Sequence, residues 1–243
     1  MIRVGRIRSA SDKLKYEGFI SIVVMMKSSP YYSLSPYFLT IDGCNLETLW
    51  QFSKIYEKVP ATTQVYSRWD DTVIWDHPSE THVIFSNSNK DDGSFTLTAE
   101  YYEWRRKGFN NKYAVRYPVG FEHRKNCIGS LKNEDDEQLL DYIDARKQIY
   151  LPNYLQAVKK ESQFKELKQM LKDGKNLLIV EVDGPHGESL DYYKKKYKVD
   201  DNFIEDDTIL ATKENLKIML NDTKHAFGHG YCLAVALLNL SLD

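Results

Sequence analysis

Residues 19–26, FISIVVMM, form an apolar, β-branched run that stops at a serine- and proline-rich stretch, KSSPYYSLSPYF. That pattern predicts a buried strand followed by a loop. FLTID predicts a short strand closed by Gly43, and positions 46–57 predict the opening helix. Between 64 and 118 the period shortens towards two, in TVIW, THVIF, SFTLTAEYYEW and YAVRYPV, with NSNKDDGS as a turn between two of these runs. An antiparallel section is expected there. From 134 to 173 the period turns helical: Leu139, Leu140 and Ile143 make one stripe, and Phe164, Leu167, Met170 and Leu171 a second. Pro152 suits a helix start and Gly174 a helix stop. NLLIVEVDGPHG follows as a near-continuous buried strand; a helix is expected over about 206–221, and YCLAVALLNL as a last apolar helix. No repeat or linker interrupts the chain. The expected architecture is one α+β domain over 1–243, with a mixed or antiparallel sheet and helices packed around it. The charged segment around 188–205 is a candidate excursion from it.

Charge and cysteine content narrow the function classes. The 33 basic and 35 acidic residues nearly cancel, which argues against a protein that wraps duplex nucleic acid. Cys44, Cys127 and Cys232 lie far apart without metal-like spacing, as in a reduced intracellular chain. The apolar runs are too short to span a bilayer, and MIRVGRIRSA lacks the apolar region of a secretory signal. A cytoplasmic location is expected, the host cytoplasm if the source is a virus. Seventeen Tyr, ten Phe and four Trp, many beside charges, suit either stacking on bases and sugars or a tyrosine-rich core with wet edges.

Four stretches carry candidate chemistry. In LETLWQFSK, helical offsets of 3, 4 and 7 bring Glu47, Trp50, Gln51 and Lys54 to one face. Such a mixed face reads as a pocket wall with an acid or base, a stacking ring and a phosphate-binding ammonium, or as a helix edge with a surface ion pair. In YYEWRRKGF, read as extended, Tyr102, Trp104 and Arg106 share one side and Tyr101, Glu103 and Arg105 the other. Either side offers aromatic stacking with an arginine clamp, or an exposed strand bearing cation–π pairs. EVDGPHG puts Asp183 at a strand end, with His186 nearby, as a second carboxylate or as a turn cap. In HAFGHG, His225 and His229 are four apart, but the glycines and the lack of further ligands argue against a metal. His229 reads instead as a ligand contact or a structural helix-start histidine. Phosphate-binding loops, dinucleotide fingerprints and nucleophile elbows are absent from the sequence.

The order of these pieces resembles the NADAR family. LSPYFLTIDGCNLETLWQFSK is similar to its opening motif, in which an I-D-G turn leads to a helix reading E-x-x-x-Q-x-x-K; Glu47, Gln51 and Lys54 keep that spacing, after a shorter turn. YLPNYLQAVKKESQFKELKQMLKDGKNLLIVEVDGPHG is similar to its second signature, with Lys172–Gly174 and Leu178–Asp183 in the matching places. The usual D-x-x-W-G-x-G continuation is replaced here by DGPHGESLDYY, with FGHGYCLAVALL about forty residues on.

The resemblance implies an N-glycosidase that hydrolyses a ribose–base bond in ADP-ribosylated or phosphoribosyl-nucleobase substrates. It implies Glu47 as catalytic carboxylate, with Asp183 a second candidate, and Gln51, Lys54 and His229 as substrate contacts; Trp50, Trp104 and Arg105 join them as substrate contacts on residue type alone. Whether Arg105 or Arg106 faces the ligand depends on strand register. No metal or redox cofactor and no membrane or protein partner is implied. Two other readings stand beside this one. One is an inactive module that binds ADP-ribose or a nucleotide; the other is a modified-base enzyme acting on single-stranded DNA.

Overall fold

The computed structural model describes residues 1–9, 12–25, 27–67, 70–86, 94–136 and 138–242. The protein is α+β and forms two compact units, one from 1–39 with 151–243 and one from 40–150.

The first unit is built on a mixed four-stranded sheet in the order Thr208–Leu210, Ile2–Arg6, Leu177–Glu181, Ile20–Val23. Leu177–Glu181 runs parallel to both of its neighbours, and Thr208–Leu210 pairs antiparallel at the edge. The unbroken LLIVE run is buried at every position, as expected for a strand covered on both faces. Helix His229–Leu238, apolar nearly all round, packs against this sheet and against helix Leu151–Val158. Gly174 takes the left-handed conformation (φ 78°), and the following Lys175 N–H bonds the Met170 carbonyl at 3.0 Å, closing helix Ser162–Lys172 as expected. The helix expected over 206–221 is shorter, Lys213–Leu220. Asp206 and Asp207 both adopt left-handed φ, which turns the chain into the edge strand, and the Thr212 hydroxyl then caps the helix. The charged 188–205 segment contains helix Leu190–Tyr197, anchored by a fully buried Tyr193.

The second unit opens with a two-residue turn, Asp42 (φ 50°) and Gly43 (φ 82°), joining strands Thr40–Ile41 and Cys44–Asn45. Asn45 accepts the Glu47 and Thr48 amides and so caps helix Leu46–Phe52. This helix ends five residues earlier than the sequence pattern suggests. Ile55 and Tyr56 are more favourable in a buried strand, Lys54–Tyr56, which pairs with Cys127–Ser130. Strands Thr62–Ser67 and Asp70–His77 form a hairpin, as do Val83–Phe85 and Phe95–Leu97; the expected NSNKDDGS turn falls mostly outside the described residues.

The extended reading of 101–109 is overturned: Ala99–Phe109 is a helix. The Thr98 hydroxyl accepts the Tyr101 amide, and Tyr101, Trp104, Arg105 and Gly108 fall on one buried face at helical offsets. Cap and packing together outweigh the β-preference of the aromatic run. Nor does YAVRYPV form a strand; it is an irregular segment that buries Ala114, Val115 and Val119.

At Gly108, an added Cβ would lie 2.3 to 2.5 Å from the Phe52 ring, itself held by Trp75 and Trp104 at centroid distances of 4.9 and 4.4 Å. Gly108→Ala gains about 1 kcal/mol of helix propensity but overpacks the core. The expected net effect is a loss of about 1–3 kcal/mol, read from the urea midpoint at constant slope. A raised midpoint would show that the ring yields.

Candidate functional site

The second unit gathers the Glu47 constellation. Glu47, at 7 % exposure, and Gln51 are one helical turn apart, and Gln51 Nε2 donates to Glu47 Oε1 at 2.7 Å. Lys54 has left the helix, yet its Nζ reaches back and donates to Gln51 Oε1 at 2.7 Å. The expected single helical face is therefore corrected to a helix plus the first residue of a strand, with its members joined by hydrogen bonds. The Lys54 ammonium also lies 5.1 Å from the Trp50 ring centroid. Trp50 is half-buried between Tyr142 and Tyr150, at centroid distances of 6.2 and 5.1 Å. Burial pushes the Lys54 pKa below its ordinary value, with the Cys127 thiol and the Glu47 carboxylate pulling the other way. A carboxylate, an amide, a desolvated ammonium and an indole face thus share one small region.

Trp104 and Arg105 do not join it as exposed contacts. Trp104, 1 % exposed, is a core residue packed on Phe52 and 5.1 Å from the His82 ring. Arg105 is buried, and its guanidinium donates to the Phe52, Leu131 and Lys132 carbonyls and to the Tyr101 hydroxyl. Both expectations rested on an extended backbone; the helix turns these side chains inward and leaves Arg106 outside, beside Glu103.

The first unit holds Asp183 and His229, with a residue the sequence reading passed over. Asp183 is exposed in the bend after the central strand. Two residues earlier, Glu181 is fully buried: its Oε1 accepts the Gly230 amide at 2.7 Å, and its Oε2 lies 3.2 Å from His229 Nδ1. A Cβ at Gly228 would sit 2.2 Å from the Glu181 carboxylate, so glycine is required for that approach. The signal was an acid closing a wholly apolar strand, matched by a G-H-G helix start. His229 Nε2 faces the Val24 carbonyl at 3.4 Å; with acceptors on both sides, the ring favours its charged form. Burial alone would lower its pKa, but Glu181 outweighs that and raises it.

His225 does not share a site with His229. Asp222, fully buried, accepts from the Tyr192 and Tyr193 hydroxyls at 2.6 and 2.7 Å and from His225 Nδ1 at 2.6 Å. Because a carboxylate only accepts, Nδ1 carries the proton, and Nε2 receives the Ser189 hydroxyl at 3.0 Å. This is the order of a serine–histidine–acid relay. Ser189, however, is only 6 % exposed and has the Lys224 ammonium 3.5 Å away, so the chain ends inside the unit as a polar staple. Among the described residues, one further group, His77, Glu80 and His82, has its side-chain ligand atoms within metal-binding range.

Compared with family models, with curated proteins and with solved structures, the chain shows no match. No helix among the described residues is long and apolar enough to cross a membrane.

A raised folded-state pKa at His229 stabilises the protein fully below the unfolded value of about 6.5, and that contribution fades as pH rises through the folded value. In urea titrations from below that value into the alkaline range, wild type should lose stability relative to His229→Gln as pH increases. A difference that is flat, or that grows with pH, would contradict the charged pair.

Proposed function

We propose that the protein is an N-glycosidase of the NADAR type, hydrolysing the bond between a ribose carbon and a base nitrogen in an ADP-ribosylated or phosphoribosyl-nucleobase substrate. The observation that carries this reading is the Gln51 amide, which links the Glu47 carboxylate to the Lys54 ammonium beside the Trp50 ring. Cleavage of an N-glycosidic bond builds positive charge on the sugar ring and negative charge on the departing nitrogen. A carboxylate fixed beside the anomeric carbon stabilises the first and orients the attacking water. Gln51 engages Oε1 of Glu47, which holds the group rigid while Oε2 acts. Lys54, whose ammonium is disfavoured by burial, gains most from a substrate phosphate. Trp50 offers the base a flat partner.

Asp183, exposed at its strand end, belongs to the first unit and Glu47 to the second, so the proposal rests on Glu47 as the catalytic carboxylate. His229, already engaged by Glu181, acts by fixing the helix start rather than by touching substrate. Single-stranded DNA as substrate loses its argument, because the aromatic and basic residues meant to form the platform lie in a helix with Trp104 and Arg105 buried.

Mass spectrometry of ADP-ribosylated guanosine, ADP-ribosylated DNA and ribosylamino-pyrimidine phosphates, each incubated with the protein, is expected to detect base release from one class. Glu47→Gln should lower that rate by about 10²–10⁴-fold while Tm and the ligand-induced rise in Tm persist. No release by wild type, with the thermal shift retained, would instead favour the ADP-ribose-binding module. A large fall in Tm on substitution would make Glu47 structural.

A further inference from the structure

The sequence HPSETH brings three ligand-type side chains onto one point of the second unit. His77 ends the Asp70–His77 strand, Glu80 opens the short Glu80–Thr81 strand, and His82 follows it. Pro78–Ser79 interrupts the strand without reversing it, since both flanking strands continue antiparallel to Lys58–Val59 and Thr62–Ser67, and both imidazoles turn Nε2 toward the same oxygen. His77 Nε2 lies 3.3 Å and His82 Nε2 3.2 Å from Glu80 Oε2, and the three side chains' ligand atoms all fall within 4.8 Å of one another.

These separations are long for charge-assisted hydrogen bonds, which settle near 2.7–2.9 Å. They match a metal polyhedron better. With zinc–nitrogen and zinc–oxygen bonds of about 2.0–2.1 Å, adjacent donors of a tetrahedral site stand roughly 3.3–3.4 Å apart. His82 is fully buried, its Nε2 is also within hydrogen-bond range of Glu80 Oε2, and the Nδ1 atoms of both His77 and His82 have no hydrogen-bond partner among the described residues. The surroundings fix both rings. His77 stacks on Trp75 with 9° between the planes, and His82 packs on Trp104 and Tyr101.

We propose that His77, Glu80 and His82 form a binding site for a divalent transition metal, zinc by ligand type, with water in the fourth position. Two imidazoles and one carboxylate suit zinc rather than calcium or magnesium, which favour all-oxygen shells. Glu80 remains partly exposed, and His77 lines a cleft of about 480 Å³ with Asp76 and Lys107, which gives an ion and its water a route in. The site ties the break between two strands to the aromatic core, and it stands independently of the glycosidase reading.

The protein, stripped with a chelator and dialysed, would be titrated with Zn²⁺ by calorimetry and with Co²⁺ by visible absorption. One equivalent of Zn²⁺, a rise in Tm and the intense visible bands of four-coordinate Co²⁺ are expected. Glu80→Gln, at a partly exposed position, should keep the fold by circular dichroism and weaken Zn²⁺ binding by at least about tenfold. His77→Asn should remove the Co²⁺ bands. Absence of stoichiometric binding by wild type overturns the proposal. So does binding that survives both substitutions, since the ion would then lie elsewhere, for example at the half-buried His123.

Discussion

An amide that must serve a carboxylate and an ammonium at once sets the geometry around Glu47. Burying either charge alone costs several kcal/mol, and a direct ion pair would tie both groups to each other. Gln51 removes the conflict because its amide donates at one end and accepts at the other, so Glu47 and Lys54 are each satisfied without being joined directly. This requires Glu47 and Gln51 on one helix, and then a chain that turns out of the helix at Ser53. The Ser53 hydroxyl bonds the Trp50 carbonyl, and the following strand buries Ile55 and Tyr56 against Cys127–Ser130. The end of the helix is therefore part of the site.

Arg105 supports that arrangement from behind. The last carbonyls of a helix lack intrahelical partners, and the Phe52 carbonyl is met by the buried guanidinium, which also gathers the Leu131 and Lys132 carbonyls. Phe52 in turn packs between Trp75 and Trp104. The aromatic core thus fixes the height and tilt of the Glu47 helix, and Trp104 and Arg105, read from sequence as substrate contacts, hold it from behind. The first unit also holds a buried carboxylate, Glu181, whose Oε1 accepts a glycine amide and whose Oε2 lies in ion-pair range of His229.

Much of this was legible in the sequence, and the failures share a cause. The LLIVE strand, the Gly174 stop, the Asp42–Gly43 turn and the final apolar helix were readable because local pattern and tertiary burial agree there. Glu47, Trp50, Gln51 and Lys54 were grouped correctly although Lys54 is not helical, since a long side chain can fold back over the turn. YYEWRRKGF misled because its aromatic residues favour strands, while the Thr98 cap and the fit of Gly108 against Phe52 favour a helix. Glu181 was overlooked because an acid in an apolar run shows its role only once the glycine backbone is seen against it. Likewise, HPSETH has no familiar metal spacing; only the break in the strand at Pro78–Ser79 brings its ligands together.

The central claim is that the Gln51-linked pair beside Trp50 holds a phosphorylated ribosyl ligand. Calorimetric titration of ADP-ribose into wild type, Lys54→Met and Gln51→Leu tests it most directly. The account predicts measurable binding by wild type and affinities lowered by at least about tenfold in both variants, a loss of about 1.4 kcal/mol or more in each. Equal affinity in all three proteins, or no binding by wild type, would contradict it.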